Sequence, residues 1–223
     1  MPPPRTARLA QLLGGLVLFG ASSSMLLLAG LGLGPWDVLH QGLSRRLGLG
    51  VGTWGIIVGL AVLVTWIPLR LRPGLGTVGN VLIVGAVIDL ALAVVPSPHP
   101  LAARIALLAG GVVLNGVATG AYIGAGLGPG PRDGLMTGIA ARGHSIRAVR
   151  TAIELTVLAT GWALGGTVGV GTVVYALSIG PLAHYFIPRM TIAPADVRAG
   201  PGRGGPRAGR RRLRQQQLEE DQV

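Results

Sequence analysis

The chain has 223 residues, half of them apolar and only 12% charged, with a mean hydropathy of +0.60 and a formal net charge of +11. That balance marks a chain whose main solvent is lipid, and the complete absence of Cys excludes disulfides, thiolate metal sites and cysteine catalysis. The charge does not indicate nucleic acid: it sits between apolar runs, with 11 Arg against 4 acids through residue 188 and 8 Arg against 4 acids in residues 189–223.

The first apolar run, Leu9 to Ala29, follows Arg5 and Arg8 and is longer than the apolar region of a signal peptide, so it is expected to stay as a structural helix. A Gly-Pro segment comes next, reading AGLGLGPWDVLHQGLSRR from Ala29. Glycines permit the backbone to turn, and Pro35 suits the first turn of a helix, where no N–H is needed. Asp37 then lies in that first turn, favoured by the free amides and the helix dipole. Trp36, Leu39, Leu43 and Leu47 recur at helical spacing, which leaves Asp37, His40, Gln41 and Ser44 on a polar face. Two readings stand side by side: a re-entrant helix lining a pathway, and an interfacial amphipathic connector.

Val51 to Leu69 and Leu75 to Val95 are the next two spans by length and apolarity. Trp66, beside Pro68 and Arg70, is expected to anchor at the inner interface, and Trp36, Trp54 and Trp162 fall near the outer one. Asp89 lies inside the third span. An unpaired Asp there costs on the order of 2.5–3.5 kcal/mol on insertion scales, so it should face the bundle interior. A structural or gating role for it is favoured over a proton relay. Asn80 and Asn115 are intramembrane amides expected to bond neighbouring helices.

The chain then repeats itself. After the span Leu101 to Ala125 it reads AGLGPGPRDGLMTGIAAR, so that Ala29, Gly30, Leu31, Gly32, Gly34, Pro35, Asp37, Gly42 and Arg46 recur 96 positions later as Ala125, Gly126, Leu127, Gly128, Gly130, Pro131, Asp133, Gly138 and Arg142. Two further spans follow, Ala148 to Gly165 and Val168 to Ile187. The fifth is the weakest, because it carries Arg150 and Glu154, and five spans rather than six is the alternative. Glu154 is placed to pair with Arg150 one turn earlier, while its functional reading is a cavity-facing solute or cation contact. GLGT at Gly74 to Thr77 recurs as GVGT at Gly169 to Thr172, and Asp89 falls opposite His184.

A repeat with three spans must enter the membrane upside down in its second copy. The expected fold is therefore all-α and polytopic: about six transmembrane helices arranged as two inverted three-helix repeats, each with a short Gly-Pro-initiated helix. The expected organisation is a cytoplasmic N-terminus at 1–8, repeat 1 at 9–98, repeat 2 at 99–188 and a disordered basic cytoplasmic tail at 189–223. Arg placement in short loops puts both termini on the cytoplasmic side of the cell membrane. The basic run Arg210 to Arg214 would touch anionic lipid or serve topology.

His40, His99, His144 and His184 lack metal-ligand spacing, no Ser-His-acid or HExxH constellation occurs, and the Gly-rich runs are not followed by GK[ST]. No metal, cofactor or enzymatic activity is expected. The candidate pathway and motif residues are Gly34, Pro35, Asp37, Asp89, Gly130, Pro131, Asp133, Glu154 and His184. The leading expectation is a small-solute permease or exporter in the lipid bilayer, and the alternative is a non-transporting membrane scaffold or accessory protein. Association into a homo-oligomer is left open.

GLGPWDVLHQGLS, GLGTVGNVLIVGAVIDL, GLGPGPRDGLMTGI and GVGTVVYALSIGPLAHYF together resemble the YczE/YitT-like group of bacterial integral membrane proteins, over roughly residues 10 to 188. The resemblance implies a bacterial cell membrane and this fold, without a substrate. Lack of the soluble C-terminal domain of YitT-type members implies the shorter YczE type. His184, where the first half has Asp89, departs from a symmetrical acid pair.

Overall fold

The computed structural model describes residues 5–192. The basic run at Arg210 to Arg214 and nearly all of the expected tail lie outside them. Among the described residues there are eight helices: α1 (Arg5–Ala29), α2 (Pro35–Leu47), α3 (Val51–Leu69), α4 (Leu75–Val94), α5 (Leu101–Gly124), α6 (Pro131–Ala140), α7 (Ile146–Ala163) and α8 (Val170–Met190). Pro35 and Pro131 open α2 and α6, where the fixed φ of proline suits the first helical position.

Five helices, α1, α3, α4, α5 and α8, are long and apolar enough to cross a membrane. The 18 residues of α7 include Arg147, Arg150 and Glu154, and this charge separates it from the other five.

α1 and α5 form the centre, antiparallel and in the most extensive contact of any helix pair. Their contacts come in exchange pairs. At one end Arg8 donates from Nε to the Ala125 carbonyl (2.8 Å) and from Nη2 to that of Gly126 (2.8 Å). At the other end Arg104, 96 positions on, donates from Nε to Ala29 (2.7 Å) and from Nη2 to Gly30 (2.9 Å). Each guanidinium satisfies carbonyls left over at the end of the facing helix, where a cation is also favoured by the helix dipole. Between these ends Gly15 lies against the backbone of Tyr122, as Gly111 lies against Leu26. Asn115 donates from Nδ2 to Ser22 Oγ (2.9 Å) and accepts from the Tyr175 hydroxyl (3.1 Å), so this amide does bond neighbouring helices.

The Gly-rich connections interlock in the same reciprocal way. The Gly76 amide donates to the Leu127 carbonyl (2.9 Å), and the Gly171 amide to that of Leu31 (2.8 Å). Gly32 packs on the GVGT turn and Gly128 on the GLGT turn, both at positive φ, in space that a side chain would fill. Leu33 donates its amide to Thr172 Oγ1 (3.1 Å). Its counterpart Pro129 has no N–H, and there Thr77 Oγ1 instead donates to the Pro129 carbonyl (2.8 Å).

Outside this centre α1 packs on α4, α5 on α8, α2 on α7, and α3 on α6. One correspondence fails. α3 packs closely on α4, whereas α7 and α8 have no comparable contact.

Two tryptophans depart from their expected interfacial places. Trp66 is 3% exposed, packs across Gly134 and donates Nε1 to the Pro131 carbonyl (3.2 Å), so it holds α3 to α6 rather than meeting headgroups. Trp36 is buried inside the bundle. Trp162 is exposed.

Candidate functional site

α2 and α6 bring their first turns toward each other inside the bundle. At position 36 and its counterpart 132 the two halves carry different residues, and these touch: the Arg132 guanidinium lies over the Trp36 ring, 5.1 Å from its centre. The polar face of α2 turns inward. Asp37 and His40 are both buried, and His40 Nδ1 stands 3.7 Å from Asp37 Oδ1. An interfacial connector would expose this face, whereas in the structure both groups are buried.

A cavity of about 420 Å3 opens beside this meeting point, walled by residues of α1, α2, α4, α5, α6, α7 and α8. Gly34, Pro35, Asp37, Gly130, Asp133 and Glu154, all expected from the sequence, line it together. Arg132, Arg150, Asn80, Tyr122 and Tyr175 add polar groups, and Phe19, Ile123, Ile179 and Ile187 add apolar wall. Asp133 accepts from the Tyr122 hydroxyl (2.9 Å). Glu154 accepts from Arg150 Nε (2.9 Å), so the expected ion pair and the expected cavity-facing position hold together. Arg132 forms no ion pair and no hydrogen bond with any described residue.

Across Trp36 and Arg132 lies a second cavity of about 30 Å3, room for about one water, bordered by Pro131, His40 and Asn80 and by α3 and α4. Neither ring nitrogen of His40, nor Nε1 of Trp36, has a hydrogen-bond partner among the described residues.

Asp89 lines neither cavity. Its carboxylate receives the Gly52 amide (2.7 Å), the Thr53 amide (2.7 Å) and the Thr53 hydroxyl (2.6 Å), which ties the C-terminal part of α4 to the N-terminus of α3. Just beneath, the backbones of Gly52 and Gly85 touch so closely that a methyl group on Gly52 would run into the Gly85 carbonyl. The second half lacks both devices. His184 stands exposed on α8 away from the cavity, and Gly180 has open space where Gly85 has Gly52.

Sequence reasoning did not find Trp36, His40, Arg132, Tyr122 or Tyr175 as a group. The available signal was positional: Trp36 and Arg132 occupy the same place in the two copies, one residue before each Asp.

The profile of a family of unknown function, DUF6198, matches residues 6–188. The chain is 38% identical over 161 residues to the uncharacterized membrane protein YczE of Bacillus subtilis, covering 71% of this chain and 75% of that protein. It is also 38% identical to an uncharacterized protein of Haemophilus influenzae, over 79% of this chain and 81% of the relative. A second Bacillus subtilis protein, uncharacterized YyaS, is 30% identical over 78% of this chain and 89% of its own length. No solved structure matches. The likeness extends over both Gly-Pro segments and every described helix except the first residue of α1 and the last two of α8.

Proposed function

Since this membrane protein belongs to the DUF6198 family, whose function is unknown, we propose that it is a small-solute permease or exporter working by alternating access between two inverted repeats. The repeats are residues 9–98 and 99–188, and α7 is the sixth crossing, with its Arg150 and Glu154 paired beside the cavity. The solute passes unaltered, without enzymatic chemistry. Arg placement orients both termini to the cytoplasm, which puts the Arg150 and Glu154 side of the cavity toward the cytoplasm and the Asp89 contact on the outer side.

The observation that carries this reading is a break in the exchange pattern of helix packing. α3 and α4 are joined by Asp89 and by the Gly52–Gly85 approach, while α7 and α8 stand apart around a cavity of about 420 Å3. Two equivalent helix pairs in unlike states, one closed and one open, are what a carrier with one gate shut requires. A scaffold needs no such difference. In the other state α7 closes on α8, with Gly180 meeting Ala148 as Gly85 meets Gly52, and α3 leaves α4.

Reconstitution in liposomes with a panel of labelled metabolites tests the proposal. Uptake or efflux of at least one solute, reduced by Asp37→Ala or Asp133→Ala in folded protein, is the expected result. Absence of flux for every solute, together with capture of one stoichiometric protein partner, would replace the carrier by the scaffold reading.

A further inference from the structure

We infer that the solute is a small zwitterion of the amino-acid class with an apolar side chain, its carboxylate held by Arg132 and its ammonium by Asp37 and Asp133. This deepens the carrier reading and rests on it. The inference starts from the charges around the larger cavity. Five charged side chains of both signs line it: Arg132, Arg150, Asp37, Asp133 and Glu154. Arg150 and Glu154 neutralise each other. Arg132 is left without an acidic partner within ion-pair distance, although both Asp37 and Asp133 share its cavity wall.

Unlike charges on purely structural duty lie in contact, because separation in a low-dielectric interior wastes their attraction. Here they are held apart. Arg132 is fixed by stacking on Trp36, Asp133 by the Tyr122 hydroxyl, and Asp37 lies buried beside His40 on α2 (3.7 Å). An anion alone would gain the guanidinium and meet two carboxylates, and a cation alone would gain the carboxylates and leave the guanidinium unpaired. A solute carrying both charges satisfies both, and the planar fork of a guanidinium takes a carboxylate through two parallel bonds.

The rest of the wall sets the side chain. Phe19, Ile123, Ala176, Ile179, Ala183 and Ile187 are apolar, and a volume of about 420 Å3 lies in the range that holds small molecules.

The test uses the full-length protein in detergent and in liposomes with three related ligands: leucine, leucinamide, which keeps only the cation, and 4-methylpentanoate, which keeps only the anion. Calorimetry on the wild type should show leucine binding at least 10-fold more tightly than either half-ligand. In Arg132→Gln the preference for leucine over leucinamide should vanish, a crossing of specificity that mere loss of packing would not produce. If that variant does not fold, the wild-type comparison decides alone. A half-ligand binding as well as leucine, or flux of some other solute class with no binding by any of the twenty amino acids, would overturn the inference and leave the carrier intact. Failure of every solute to bind or move would overturn both.

Discussion

Replacing Asp89 with Asn should loosen α3 from α4. The carboxylate accepts two backbone N–H bonds and one hydroxyl bond at 2.6–2.7 Å, all charge-assisted and short. At about 1.5–3 kcal/mol each, three such bonds set a ceiling of roughly 5–9 kcal/mol. Losses measured at helix N-caps, about 0.5–2 kcal/mol, set the floor, since water reaches exposed amides at a helix start. Gly52 is buried while Thr53 is half-buried, so one amide is poorly rehydrated and the other partly so. Asn keeps one acceptor oxygen. We therefore expect Asp89→Asn to weaken the α3–α4 contact by about 2 kcal/mol, which moves a two-state equilibrium about 30-fold. The natural chain contains no Cys, so a reporter thiol is unique. Ile88→Cys places it beside Asp89 on α4 at a position 2% exposed and bordering the small cavity. A membrane-impermeant maleimide should label it about 30-fold faster in the Asp89→Asn background. A lowered melting temperature with unchanged labelling would refute the reasoning and leave Asp89 as a helix cap alone.

Arg8→Gln and Arg104→Gln should each lower stability by a similar amount, about 1–3 kcal/mol, and the double variant should be additive within about 0.5 kcal/mol because the two sit at opposite ends of the α1–α5 pair; paired thermal melts check this. Gly134→Ala drives a methyl group into the Trp66 ring and should cost about 1–3 kcal/mol, while Gly14→Ala, with open space around it, should gain about 0.5–1 kcal/mol from helix propensity. Thr77→Val strands the Gly74 amide (3.2 Å) and the Pro129 carbonyl (2.8 Å) in the interlock and should lower stability by about 1–3 kcal/mol in the same assay. Glu154→Gln breaks an ion pair that is half exposed, so the melting temperature should barely move, about 0.2–0.5 kcal/mol, and any larger effect on flux reports its place in the cavity wall.

The helices were legible because apolar length and helix-start chemistry are local. Pro35 and Pro131 begin α2 and α6 as the sequence predicts, and every expected span is a helix whose ends shift by four residues at most. What local pattern lacks is the partner across the fold. Asp89 reads as a buried charge, yet the amides that hold it belong to Gly52 and Thr53, some 36 residues earlier. Trp66 beside Pro68 and Arg70 has the composition of an interfacial anchor, and only the absence of a side chain at Gly134 makes room for it inside. The polar face of α2 satisfies an interfacial helix and a buried one equally well on paper. The offset of 96 held one further signal: Arg8 and Arg104 are an identical pair in the two copies, and they clasp the opposite halves.

Alternating closure of the two helix pairs is open to direct distance measurement in liposomes. Spin labels at Arg147→Cys and Arg189→Cys flank the ends of α7 and α8, and labels at Leu49→Cys and Val94→Cys flank those of α3 and α4; all four positions are exposed. Pulsed electron resonance on each double variant should give two populations, and Asp89→Asn should lengthen the α3–α4 distance while shortening the α7–α8 distance. A single fixed distance for both pairs, unchanged by Asp89→Asn, would contradict the carrier account.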